Sequence, residues 1–280
     1  MNLNRPFILC ATDFSPRAIA AASVAAKLAF RRSEKLQLVH ACDASRAATI
    51  AAAAKYLEAE LQRLKRTGAE VVSLLIKGRR PSAAVLEHIQ AAKPTLVVVA
   101  SGIKGPVDRW AVGSFSEFIA ESSPVPTLVV RNPAAFESWD WTSDRLKILL
   151  ALDRYASSDI VLRWARNFQK GGPCDLVSCH VNRHMPTVEE LAMPGVQPTN
   201  PPALQSQLER ELHKKVRDQL GDDASEIVVR PHLGAEGPCI VDIAREVHAH
   251  LIAVGTHQRH GFSRVVQFSI SRELLHEAET

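Results

Sequence analysis

Aromatic side chains make up only 5% of this 280-residue chain, which argues against the stacking surfaces that hold single-stranded nucleic acid. Charge of one sign is scarce as well. The net charge is +4 at pH 7, and the basic residues are spread along the chain rather than gathered into a run, so no nucleic-acid partner is read from it. No apolar stretch reaches the roughly 18 residues that a membrane-spanning helix needs, and the opening MNLNRPFILCATDF runs straight into a strand-like segment instead of a charged, apolar and cleavable leader. A cytoplasmic protein without a membrane partner is the expectation. Cysteine is sparse, with five in all, an odd number at no metal-ligand spacing. Cys10, Cys42, Cys174 and Cys179 lie in or beside apolar strand-like runs and Cys239 opens a helical pattern, so they are read as free, reduced and mostly buried thiols.

What is present is a composition that folds, 46% hydrophobic and 23% charged, over about twice the usual length of a single domain. The chain also repeats itself. FILCATDFSPRAIAAASVAAKLA (residues 7–29) is an apolar strand run, an Asp-bearing turn and an Ala-rich helix, and KILLALDRYASSDIVLRWARNF (residues 147–168) has the same order. Asp13 and Asp153 correspond at an offset of 140 (153 − 13), and LQLVHA around His40 matches DLVSCHV around His180 at the same offset. Further on, LVVVASG (residues 96–102) matches LIAVGTH (residues 251–257), which puts Ala100 on Gly255 at an offset of 155. The extra residues fit 182–203, where prolines at 186, 194, 198, 201 and 202 forbid a continuous helix or a central strand. We read that stretch as a long surface insertion.

Within each copy the apolar runs are short and nearly continuous, as in strands buried on both faces, and they alternate with helical patterns. Copy one places strands near 7–11, 35–41, 70–76, 95–100 and 126–131, with helices near 16–31, 46–67, 82–92 and 114–121. Right-handed crossovers then give an α/β protein of two tandem doubly wound, mainly parallel open-sheet domains, with a ligand crevice at the carboxyl ends of the strands. The domains are expected at 1–135 and 144–280. Between them lies RNPAAFESWDWTSD (residues 131–144), and Trp139 and Trp141 are read as packing the two domains together. Copy one finishes on a proline-led fifth strand, SSPVPTLVVR (residues 122–131), whereas copy two ends at SISRELLHEAET without one. Either four strands suffice there or something else covers the open edge. An internal pseudo-dimer of the two copies is expected.

TDFSPRA (residues 12–18) after strand one, a His at the end of strand two (His40, His180), and a glycine-bearing loop after strand four leading into Gly113 and Ser114 resemble the universal stress protein family in its tandem form. The resemblance covers nearly the whole chain twice. It implies an adenine nucleotide α-hydrolase-like fold and a loop of the form G-x-x-G, nine residues, then G-S or G-T, which holds ATP phosphates. Small residues let backbone N–H groups approach a polyphosphate, and a Ser at a helix N-terminus adds a donor where the dipole is positive. Copy one reads ASGIKGPVDRWAVGS (residues 100–114); counted without gaps the two loop glycines fall on Ala100 and Ile103, while Gly102 and Gly105 restore the G-x-x-G with a shorter spacer. Copy two reads GTHQRHGFSRVVQFS (residues 255–269), keeping Gly255 and Ser269 but carrying Gln258 and Phe268 at the second and third glycine positions. The Phe268 ring either points into the phosphate position or fills the pocket.

By the same resemblance, Thr12 with Asp13, and Asp153, stand on the adenine or ribose side, and the backbone of Ala41 and Val181 borders the base. An Asp at a strand-to-helix turn also serves as an N-cap, and the two roles can coexist. His40 and His180 are read as satisfied packing residues, and His248, His250, His257 and His260 as solvated loop histidines rather than a metal site. Ser101, Ser114 and Ser269 lack the elbow and partners of a nucleophile. The helix around Tyr56, Leu57, Leu61 and Leu64 is read as a core or domain-facing stripe. No enzyme is expected. The functions left are a stress-response regulator that binds ATP or another adenine nucleotide and so biases protein partners or self-association, or an interaction module that has lost the nucleotide. The first copy is expected to keep the better pocket.

Overall fold

The computed structural model describes residues 5–43, 45, 47–101, 114–139, 144–153, 157–183, 200–221, 226–232, 235–255 and 270–278. The chain divides into two compact units, 1–137 and 138–280. In the first, β1 (Phe7–Ala11), α1 (Pro16–Arg31), β2 (Lys35–Cys42), α2 (Ala47–Lys65), β3 (Val71–Lys77), α3 (Pro81–Ala92), β4 (Leu96–Ala100), α4 (Ser114–Ser122) and β5 (Thr127–Val130) alternate as the sequence predicts. Every residue of β1 is buried, because helices cover both faces of a central parallel strand. The strands pair in the order β3-β2-β1-β4-β5, all in parallel. Helix α1 is capped by Ser15, whose Oγ accepts from Ala18 N at 3.3 Å, and Pro16 opens it with no N–H to lose. Its inner face is mainly alanine (Ala18, Ala21, Ala22, Ala25, Ala26, Ala29), which brings the helix close against the sheet.

A short helix, α5 (Ala134–Ser138), follows β5, and the second unit repeats the pattern. Its elements are β6 (Leu146–Ala151), α6 (Ser157–Phe168), a 3-10 turn at Gln169–Gly171, β7 (Cys174–Arg183), α7 (Pro202–Leu220), β8 (Ile227–His232), α8 (Glu236–Glu246), β9 (Leu251–Val254) and α9 (Ile270–Glu277). The described strands form a parallel sheet in the order β8-β7-β6-β9. Pairing of Ile8 with Leu96 and of Ile148 with Leu251 reproduces both offsets read from the sequence. Buried Ala53, Leu57 and Leu61 on α2 match buried Leu208, Leu212 and Val216 on α7, so the added residues enter before α7.

The insertion is shorter than read. β7 continues through Asn182 and Arg183, which pair with Pro231 and His232, and α7 already holds 202 and 203. Strand pairing extends because β8 is an edge strand, where Pro231 withdraws an N–H at little cost. Residues 184–199 lie outside the described residues. The two ends of the insertion meet: Asn182 Nδ2 donates to Asn200 Oδ1 at 2.9 Å, and Asn200 Nδ2 donates to Gln205 Oε1 at 2.7 Å.

Trp139, read as packing the domains together, is placed inside the second unit. Its side chain is 1% exposed, its ring stacks on Phe168 at 5.7 Å, and its Nε1 donates to Pro173 O at 2.8 Å. Trp141 lies outside the described residues. Among the described residues the second sheet has four strands. The residues of β9 are partly exposed, where Leu96–Val99 of β4 are buried beside β5. All five thiols are free and buried, and burial pushes Cys10, Cys174 and Cys179 up to about 12. No described helix is long and apolar enough to cross a membrane.

Candidate functional site

In the first sheet the chain leaves β1 for β2 on one side and returns to β4 on the other, and the crevice of a doubly wound fold opens at that reversal. The turn after β1 is tightly organised. Thr12 N donates to Val39 O at 2.9 Å, as if the strand continued, while Thr12 O accepts from His40 Nδ1 at 2.7 Å. Phe14 then takes a left-handed backbone conformation (φ 64) that side chains seldom adopt. It is held there by a bond from Phe14 N to Thr12 Oγ1 at 3.0 Å and by its ring against His40 (4.5 Å between centroids) and Tyr56 (5.7 Å). This twist throws Asp13 outward. Its carboxylate is exposed and accepts Ser15 N on Oδ1 at 2.9 Å; Oδ2 has no partner among the described residues. Asp13 is therefore a local turn former with one oxygen to spare.

The other predicted positions of this crevice fall at strand ends. Ala41 is partly exposed near the end of β2 and pairs with Ile76; Ala100 is partly exposed at the end of β4 and pairs with Val130. Ser101, next in the chain, is 3% exposed, and its Oγ has no hydrogen-bond partner among the described residues. Ser114 opens α4, as expected of the helix entrance. Gly102, Ile103, Gly105 and Gly113 lie outside the described residues.

The second unit keeps the frame but closes the carboxylate. Leu152 N donates to Cys179 O at 2.8 Å and Leu152 O accepts from His180 Nδ1 at 2.9 Å, the counterparts of Thr12 and His40. Both histidines are thus satisfied by the turn they brace. Asp153 differs from Asp13: Ser157 Oγ donates to Oδ2, and Ser158 Oγ lies 2.8 Å from Oδ1 while accepting Asp153 N at 2.7 Å. Sequence reading missed this clamp, whose signal was the Ser157–Ser158 pair at the helix start. Gly255 backs onto the same place, since a Cβ there would stand 3.1 Å from Ser157 O. Its smallness serves the approach of β9 to α6. Val181 is buried in β7, paired with Arg230. Ser269, Gln258, Phe268, His257 and His260 lie outside the described residues.

His250 is exposed and lies outside the regular elements, as read, but it also holds a structural bond. Its Nδ1 accepts from Lys147 N at 3.0 Å and its backbone N–H donates to Lys147 O at 2.8 Å, so the residue fixes the start of β9 on β6. Among the described residues no three His, Cys, Asp or Glu side chains converge on a metal position.

Comparison with known proteins agrees with this architecture. The chain shares its fold with a universal stress protein from Archaeoglobus fulgidus at 15% identity and a TM-score of 0.69, over 97% of this chain and 93% of that one. A putative universal stress protein from Pseudomonas aeruginosa matches at 15% identity and 0.66, over 99% and 92%. A universal stress protein solved in complex with cAMP is 24% identical over 45% of this chain and 97% of its own, with a TM-score of 0.39. No curated protein sequence matches significantly. The model of the universal stress protein family matches residues 7–131 and again 145–280, so this chain belongs to that family, with its domain present twice in tandem.

Proposed function

We propose that the first unit binds ATP or another adenine nucleotide at the carboxyl edge of β1 and β4, and that the protein works by binding rather than by catalysis. The supporting observation is the contrast between the two aspartates. Asp13 stands exposed with Oδ2 open, able to accept a ribose hydroxyl, whereas both carboxylate oxygens of Asp153 are taken by Ser157 and Ser158. A nucleotide in the second unit would have to displace those hydroxyls. The partly exposed Ala41 and Ala100 leave room on either side of Asp13 for base and phosphates. Bound nucleotide favours whichever conformation holds it more tightly, and that bias is what a partner protein or a second copy of the chain reads. Five buried reduced thiols suit the cytoplasm as the place of action. For the second unit the Asp153 clamp favours a folded interaction module without nucleotide.

Calorimetric titration of the whole chain with ATP, ADP and AMP tests the reading. One nucleotide per chain is expected, with the heat lost in Gly113→Trp, which fills the helix entrance. Absence of heat from all three at high protein concentration overturns nucleotide binding; two equivalent sites overturn its assignment to one unit.

A further inference from the structure

A hydroxyl withdrawn from water loses its hydrogen bonds to solvent and is costly to leave without a partner. Ser101 is in that state: it is 3% exposed, and its Oγ finds no partner among the described residues. Other buried serines are engaged. Ser123 Oγ donates to Val125 O and Ser158 Oγ to Asp153 O, each at 2.8 Å.

The place of Ser101 in the sheet says which way its side chain turns. Val97 N and Ser101 N both donate across to β5, to Pro126 O and Val130 O, each at 2.9 Å, so the alternation of β4 runs on through Ser101. Ser101 therefore takes the sheet face of Val97 and Val99, which pack with Val85 and Ile89 of α3 and Ile119 of α4. Phe115, in the first turn of α4, packs on the same cluster. Because α4 is the crossover from β4 to β5, it begins at the carboxyl edge, and the positive end of its dipole stands on that face. Cys10 pairs with Val98. Three residues further along each chain come Asp13 and Ser101, so the two flank one gap between neighbouring strand ends, where strands stand about 4.8 Å apart.

We infer that Ser101 is a ligand-positioning residue whose hydroxyl donates to an oxygen of the ligand's first phosphate, the one carried on the 5′ carbon of the ribose; this rests on the reading of Asp13 as the ribose contact. The ribose hydroxyls and that phosphate are neighbours in a nucleotide, as Asp13 and Ser101 are at the strand ends. A hydroxyl that donates to an oxyanion away from water makes a strong, charge-assisted bond. The contact asks for one phosphate, so the ligand class is a nucleotide of any phosphate number, and a nucleoside does not satisfy the site.

Calorimetry of the whole chain and of Ser101→Ala with AMP, ATP and adenosine tests the assignment. The wild type should bind AMP and ATP more tightly than adenosine. Ser101→Ala should weaken AMP and ATP by the same factor, on the order of tenfold or more, and leave adenosine as it was. Thermal melting without ligand is the second readout: the substitution deletes an unpaired hydroxyl and keeps the packing, so the variant should melt no lower than the wild type. A lower melting temperature would reveal a partner inside the protein and overturn the assignment. Equal losses for adenosine and AMP overturn it too, as does AMP binding that the substitution leaves undiminished. A wild type that binds none of the three ligands overturns the nucleotide reading itself, and this contact with it.

Discussion

Replacing each aspartate of the repeated turn by alanine should produce opposite effects in the two units. Asp153→Ala removes an acceptor from Ser157 and Ser158, and Ser158 is buried to 1% exposure, so its hydroxyl loses a charged partner where water enters poorly. Hydrogen bonds to a charged group contribute about 1.5–3 kcal/mol each. Ser158 keeps its bonds to the Asp153 backbone, so the net loss should be about 2–3 kcal/mol. Asp13→Ala loses one exposed bond to Ser15 N, while the Ser15 cap on Ala18 N remains, and should cost under about 1 kcal/mol. The assay is urea unfolding in a Trp110→Phe background, which leaves tryptophans only at 139, 141 and 164, all within 138–280. With a slope of about 2 kcal/mol/M, Asp153→Ala should lower the fluorescence midpoint by roughly 1 M and Asp13→Ala should leave it in place. Nucleotide binding should follow the reverse order, lost in Asp13→Ala and kept in Asp153→Ala. A midpoint unchanged by Asp153→Ala, or nucleotide binding that survives Asp13→Ala, would refute the reasoning.

Two further outcomes follow from buried groups. Because burial holds the Cys10, Cys174 and Cys179 thiols near 12, Ellman's reagent at pH 8 should label fewer than one thiol in the native chain and all five in urea; rapid native labelling of several would contradict the packing. His88 donates to the buried Gln37 Oε1 at 2.7 Å, and desolvation holds it below its ordinary value of 6.5. The unfolded chain takes up that proton first, so the first unit is fully stable above pH 6.5 and loses stability as pH falls from there towards the folded value. His88→Gln should flatten that decline in circular-dichroism melts at pH 7.5, 6.5 and 5.5; an equal decline in the variant would assign it elsewhere.

The parallel sheets were legible because strands buried on both faces write themselves as unbroken apolar runs, and because two copies of one pattern fix each other's register. FILCA and LKILLA needed no neighbour to be recognised. The turn residues were legible by type and not by state. Asp13 and Asp153 look alike in sequence, yet one is exposed and the other clamped, since the helix start that follows carries the hydroxyls of Ser157 and Ser158 where the first copy has Arg17 and Ala18. Contacts between distant segments were the least visible. Nothing local to Gly237 announces the bond from its N–H to Glu273 Oε2, 36 positions away, and Trp139 stood in a linker by composition while its ring found Phe168. The end of β7 was misread for a related reason: the prolines from 186 to 202 were taken to bar regular structure over the whole of 182–203, but pairing with the distant β8 carries the strand through Asn182 and Arg183.

The amide chain from Asn182 through Asn200 to Gln205 brings the departure and return points of the insertion together at 2.9 Å. A loop whose ends are already pinned costs little to lengthen, about 0.6 kcal/mol for each doubling. Evolution could therefore redraw 184–199 freely without disturbing either sheet, and a fluorescent or affinity module grafted there should leave the duplicated fold intact.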